Sequence, residues 1–120
     1  MLITDYVAKQ KLAEALSDSN VRHILSATLL EAKSAVELST LLGLPTRTLY
    51  RYMDELCALG LLVRERLVVM ESGGRFTLYR SMVKSITVKY ELGDLGVDVI
   101  PNEKILGRFL RFWSYMQGRV

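Results

Sequence analysis

Between Ser34 and Gly60 the residues that start and stop helices fall at fixed places, and they leave the chain few ways to fold. Ser34-Ala35-Val36-Glu37 fits a capping box, in which the serine and glutamate side chains satisfy the free N–H groups at a helix start. Leu38, Leu41 and Leu42 carry that helix only a short way. Gly43 then supplies the left-handed residue that ends it. Leu44 leads to Pro45, which suits the first turn of a new helix because a missing N–H loses nothing there. The second helix places Leu49, Met53 and Leu56 on one face and closes at Gly60. Two short helices joined by a tight glycine turn form a helix-turn-helix.

The flanking segments follow the same reading. Residues 5–17 offer Val7, Leu12 and Leu16 at weak helical spacing, and Ser17-Asp18-Ser19-Asn20 breaks that helix and caps the next. Val21, Ile24, Leu25, Thr28 and Leu29 then predict a core helix reaching about Ala32. After Gly60 the period shortens. Leu61 to Met70, the turn at Ser72 to Gly74, and Arg75 to Arg80 predict a β-hairpin. Ile86, Val88 and Tyr90 alternate with Ser85, Thr87 and Lys89, predicting a second hairpin with its turn at 91–96 and a return over 97–100. Ile105, Phe109, Phe112, Trp113 and Met116 line one face of a final helix.

This order predicts an α+β fold, a winged helix-turn-helix in a single domain of 120 residues. Its parts are an N-terminal helix (1–18), the helix-turn-helix and wing (19–81), a second hairpin (82–101) and a C-terminal helix (102–117).

With Leu49, Met53 and Leu56 facing inward, Thr46, Arg47, Tyr50 and Arg51 face outward, and Thr48 lies partly outward. Arginine grips guanine or phosphate, and hydroxyls bind phosphate, so these types suit a duplex met by the first half of the helix. Asp54 and Glu55 make its later half acidic. The charge distribution agrees: the net charge is +3, and Lys and Arg exceed Asp and Glu only from Gly43 onward. Arg75 beside the glycine pair is the wing candidate, with Arg64, Arg66 and Arg80 at the strand ends. Alternatively, Arg64 and Arg66 pair with Glu65 and Glu71 as a solvated strand face.

The stretch from Val21 to Arg80 resembles the winged-helix regulators of the ArsR-like class, especially short archaeal ones. The resemblance is carried by Ser34 to Leu38, Gly43 to Arg51, Leu56, Leu59-Gly60-Leu61-Leu62 and the Gly73-Gly74 hairpin. Leu78 to Ser81, leading into Lys84-Ser85-Ile86, adds to it. It implies a dimeric repressor or activator whose recognition helix runs from Pro45 to Leu59. The metal ligands of that class are missing here.

The apolar stripe of Ile105, Phe109, Phe112, Trp113 and Met116 can fold back on its own domain or meet a second subunit. Its place after a completed winged core favours a homodimer interface. One cysteine and one histidine cannot build a zinc site, and no cofactor is implied. Cys57 reads as a small, half-buried and inert residue, with a thiol switch as the alternative. No phosphate loop, nucleophile elbow or paired metal ligands point to an enzyme, and Asp94 and Asp98 in a turn region read as solvated. Neither a leader segment nor a bilayer-length apolar run is visible, so a cytoplasmic protein without a membrane role is expected. The partner expected is double-stranded DNA. The rival reading is a winged-helix module that binds other proteins of transcription or replication. Operator and small-molecule effector are left open.

Overall fold

Five helices and two antiparallel hairpins make up this computed structural model, an α+β fold whose described residues are 1–116 without the side chain of Met116. The expected end of the last helix at residue 117, and Met116's part in its stripe, lie outside the described residues.

Aspartates open the first two helices. In α1 (Tyr6–Leu16) the Ala8 N–H donates to Asp5 Oδ2 at 2.8 Å, and in α2 (Ser19–Ala27) the Asn20 N–H donates to Asp18 Oδ1 at 2.8 Å. The second helix stops at Ala27, several residues short of expectation. Thr28 is the cause: its buried hydroxyl donates to the Ile24 carbonyl, and its own carbonyl accepts from the Ser81 N–H across the fold.

Helix α3 (Ala35–Leu42) carries the expected capping box, with the Glu37 N–H donating to Ser34 Oγ and the Ser34 N–H to Glu37 Oε1, both at 3.2 Å. Gly43 ends it in the left-handed region at φ 67°. Pro45 precedes α4 (Thr46–Ala58), in which Leu49, Met53 and Leu56 are fully buried. Each such burial is worth about 1.5–3 kcal/mol, so these three positions fix the rotation of α4 on the core.

Strands β1 (Leu62–Val69) and β2 (Arg75–Ser81) pair antiparallel, with a bulge between Arg64 and Arg66. Lys33 bonds Tyr79 on the outer side of β2 through both backbone groups. Strands β3 (Val83–Glu91) and β4 (Asp94–Pro101) form the second hairpin. Its turn is shorter than the expected 91–96: Leu92 at φ 52° and Gly93 at φ 86° close it, and pairing continues to Glu91 opposite Asp94. Residues 1–3 add a short strand to β4, the Ile3 N–H donating to the Val97 carbonyl (2.9 Å) and the Val99 N–H to the Met1 carbonyl (2.8 Å). Where the two hairpins join, the buried Asn102 amide donates to the Leu29 and Ser81 carbonyls, both at 3.0 Å.

A short 3-10 turn (Glu103–Ile105) leads into α5 (Leu106–Met116). Three residues of the stripe expected at a subunit contact, Ile105, Phe109 and Trp113, are instead taken up by the chain's own core. Ile105, Phe109 and Trp113 are buried together with Leu12, Leu49, Leu56, Leu62, Val97 and Val99. Phe112 is half-buried against Gly60, where a Cβ would run into its ring. An amphipathic helix at a chain end has the same pattern whether it covers its own core or a neighbour's. Here the α4–β1 junction offers the apolar surface, and these residues are not free to serve a second subunit.

Candidate nucleic-acid interface

Burial of one face of α4 determines what the other presents. Thr46, Arg47, Tyr50 and Arg51 are exposed, and Thr48 is half-buried. Pro45 provides no side-chain cap, so the first-turn N–H groups of α4 stay open to an anion. Among the described residues, Arg47 and Arg51 have no hydrogen-bond or ion-pair partner. Glu55 is exposed further along, while Asp54 is engaged by Arg64 at 2.9 Å. The later half of the helix is therefore less acidic than its sequence reads.

Tyr52 escaped the sequence reading. Its hydroxyl donates to Asp18 Oδ2 at 2.6 Å and accepts from Asn20 Nδ2 at 3.2 Å. Asp18 thus caps α2 and holds α4 at once, which secures the direction in which Arg47 and Arg51 point. The Tyr52 hydroxyl, then the Asn20 N–H, hold the Asp18 carboxyl below its ordinary value. Nothing in the local pattern announces a contact between residues so far apart in sequence.

The arginines of the first hairpin divide into engaged and free. Arg80 bonds Glu65 at 2.7 and 3.3 Å and the Leu30 carbonyl at 2.8 Å. Arg64, besides its bond to Asp54, lies over the Tyr79 ring at 5.8 Å. The alternative, in which Arg64 and Arg66 pair with Glu65 and Glu71, is not what the structure shows. Arg64 reaches Asp54 on α4 instead, and Glu65, the extra residue of the bulge, is taken by Arg80 on β2. Arg66 and Arg75 are exposed and without partners among the described residues.

Arg75 faces Val69 at the far end of the hairpin, whereas α4 meets its base. At the usual rise per residue the two lie on the order of 20 Å apart. The α4 set is thus gathered on one helical face, and Arg75 stands away from it as a second basic point.

Cys57 is half-buried, and desolvation pushes its thiol above the ordinary range despite the opposing charge of Arg64. A thiol so placed has little thiolate at neutral pH. Among the described residues no group of His, Cys, Asp and Glu side chains could hold a metal ion, and no helix is long and apolar enough to cross a membrane.

No protein-family model matches this chain, and no curated protein is significantly similar to it. The functional reading therefore rests on the geometry.

Proposed function

We propose that this protein is a winged helix-turn-helix DNA-binding protein, a small cytoplasmic transcriptional regulator of ArsR-like kind with no catalytic step of its own. Helix α4 is the recognition helix and the first hairpin the wing. The observation that carries the reading is the pair Arg47 and Arg51: two uncompensated guanidiniums on the exposed face of a helix whose other face is locked into the core. Arginines elsewhere in the fold, at 64, 80 and 108, spend their donors inside the molecule.

In this reading the first two turns of α4 enter the major groove. Arg47 and Arg51 reach base edges or flanking phosphates, while Thr46, Thr48 and Tyr50 offer hydroxyls to the backbone. The free tip of the hairpin brings Arg75 to phosphate or the minor groove. No effector is assigned.

A second reading has its own observation: Leu67, Val69 and Met70 are exposed on the same hairpin, an apolar surface that would suit a protein partner. Fluorescence anisotropy with genomic duplex fragments at two salt concentrations separates the two. DNA binding predicts saturable titrations that weaken steeply with salt. Arg51→Ala should then weaken the preferred fragment by roughly 1–3 kcal/mol if it reads a base. Arg75→Ala should weaken all fragments alike and reduce the salt dependence. No binding at low salt, or unchanged binding in the Arg47→Ala/Arg51→Ala double variant, would remove the assignment.

A further inference from the structure

We infer that the outer edge of β3 is a self-association surface, on which a second copy of this chain pairs antiparallel about Val88. The inference does not depend on DNA binding.

The direction of the backbone groups comes first. Val97 and Val99 on β4 turn their bonding groups away from β3, because the Val97 carbonyl and the Val99 N–H bond residues 1–3 instead. In an antiparallel ladder the residues opposite such positions turn away too. Val88 faces Val97 and Ile86 faces Val99, and by alternation Tyr90 opposite Leu95 does the same. The N–H and C=O groups of Ile86, Val88 and Tyr90 therefore point out from the free edge of the sheet, and no backbone group among the described residues meets them. Such a row is directional, and the partner that satisfies it is another strand.

The side chains say which strand. Ile86, Val88 and Tyr90 share the face of the buried Val97 and Val99, but the cover stops at β4. Val88 is 41% exposed, Tyr90 77% and Leu92, at the tip, 98%. The ladder is regular from Ser85 to Glu91, after the irregularity at Val83 to Ser85, and Val88 is the centre of that run. A two-fold axis there sets Val88 against Val88 of the second copy and Ile86 against its Tyr90, joining the two apolar strips into one. On the other face Ser85 meets Glu91 and Thr87 meets Lys89, so no like charges are directly opposed. Each Lys89 also keeps its own Glu91 at 2.8 Å.

The same register gives the bare tip a place to go. Beyond Ile86, between α2 and β3, lies a groove of about 260 Å³ bordered by Leu16, Leu25, Leu29 and Ile86 together with Arg22 and Lys84. Antiparallel pairing about Val88 carries Tyr90 and Leu92 of the second copy toward it, and the two-fold repeats the arrangement at the other end.

Light-scattering mass over a concentration series tests this on the full chain. The expected result is a dimer of twice the 13.6 kDa chain mass. Val88→Pro removes an outward N–H without touching the β4 ladder, and Tyr90→Lys puts charge into the joined strip. Each should weaken the dimer by roughly tenfold or more while the circular dichroism keeps its helical and strand signal. Should the proline variant fail to fold, Tyr90→Lys and a crosslink decide. In a Cys57→Ser background, Val88→Cys should oxidise to a disulfide-linked dimer, since residues facing each other in a bonded pair lie about 5.5 Å apart at Cα. A monomeric parent chain at high concentration would overturn the proposal. So would a dimer that survives Tyr90→Lys and gives no Val88→Cys crosslink.

Discussion

The first hairpin has both of its edges met at its base by the rest of the chain, and the second has only one edge met among the described residues. Lys33 bonds the outer side of β2, and the Arg108 guanidinium donates to the Arg64 and Glu65 carbonyls at the β1 bulge, at 3.0 and 2.8 Å. On the second hairpin residues 1–3 occupy β4, and no backbone group among the described residues meets the outer edge of β3. The two hairpins share a pairing pattern but offer different things to a partner. Held at its base, the first presents its tip and side chains, which suits contact with phosphate through Arg75. The second presents a length of backbone, which suits another strand.

Mutations that strip each hairpin of its support would break that contrast. The largest effect is expected from Phe109→Ala, which empties a fully buried site on α5 and should lower stability by about 3–5 kcal/mol in urea unfolding. Because α5 carries Arg108, backbone amides of β1 should gain more exchange than those of β4. Ile3→Ala attacks the other side. Loss of a buried side chain near the chain start should remove about 2 kcal/mol and speed exchange at the Val99 N–H, leaving the first hairpin as it was. Uniform loss of protection across both hairpins in either variant would show that they unfold as one unit.

Glu65→Gln sharpens the comparison at smaller cost. It takes the charge partner from Arg80, whose side chain is largely enclosed, and should destabilise by about 1 kcal/mol, with local opening at the base of the first hairpin. Tyr52→Phe acts on the helices that both hairpins rest on. Asp18 is held below its ordinary value near 3.8, so its contribution is present above the unfolded pKa and is lost as pH falls through the folded one. Removing the hydroxyl raises the folded value. Acid unfolding, followed by circular dichroism, should then begin at a higher pH than in the parent; an unchanged transition would mean that Asp18 gains nothing from Tyr52.

Local chemistry made much of this legible in the sequence. Ser34 and Glu37, Gly43, Pro45 and the spacing of Leu49, Met53 and Leu56 each act within one or two helical turns, so the α3–α4 pair could be placed residue by residue. The outward set on α4 followed from the same period. What escaped depends on contacts distant in sequence. Arg64 and Arg80 look alike as strand-end cations, and only the packing of the fold brings one to Asp54 and the other to Glu65. Residues 1–3 are too few to show a period. Leu92 gives no warning that it adopts a left-handed conformation, so the second turn was read too long. Ile105, Phe109 and Trp113 were recognised as an apolar face, but periodicity identifies a face and not what covers it.

Trp113, buried between Phe109 and Phe112 at 5.8 and 5.6 Å between ring centres, is the chain's one tryptophan. Its indole N–H has no acceptor among the described residues. Its emission should therefore lie far to the blue and move red as α5 leaves the core. Excitation at wavelengths that only indole absorbs then gives a single-site, label-free optical record of the docking of that helix, in a molecule whose other aromatic residues stay silent.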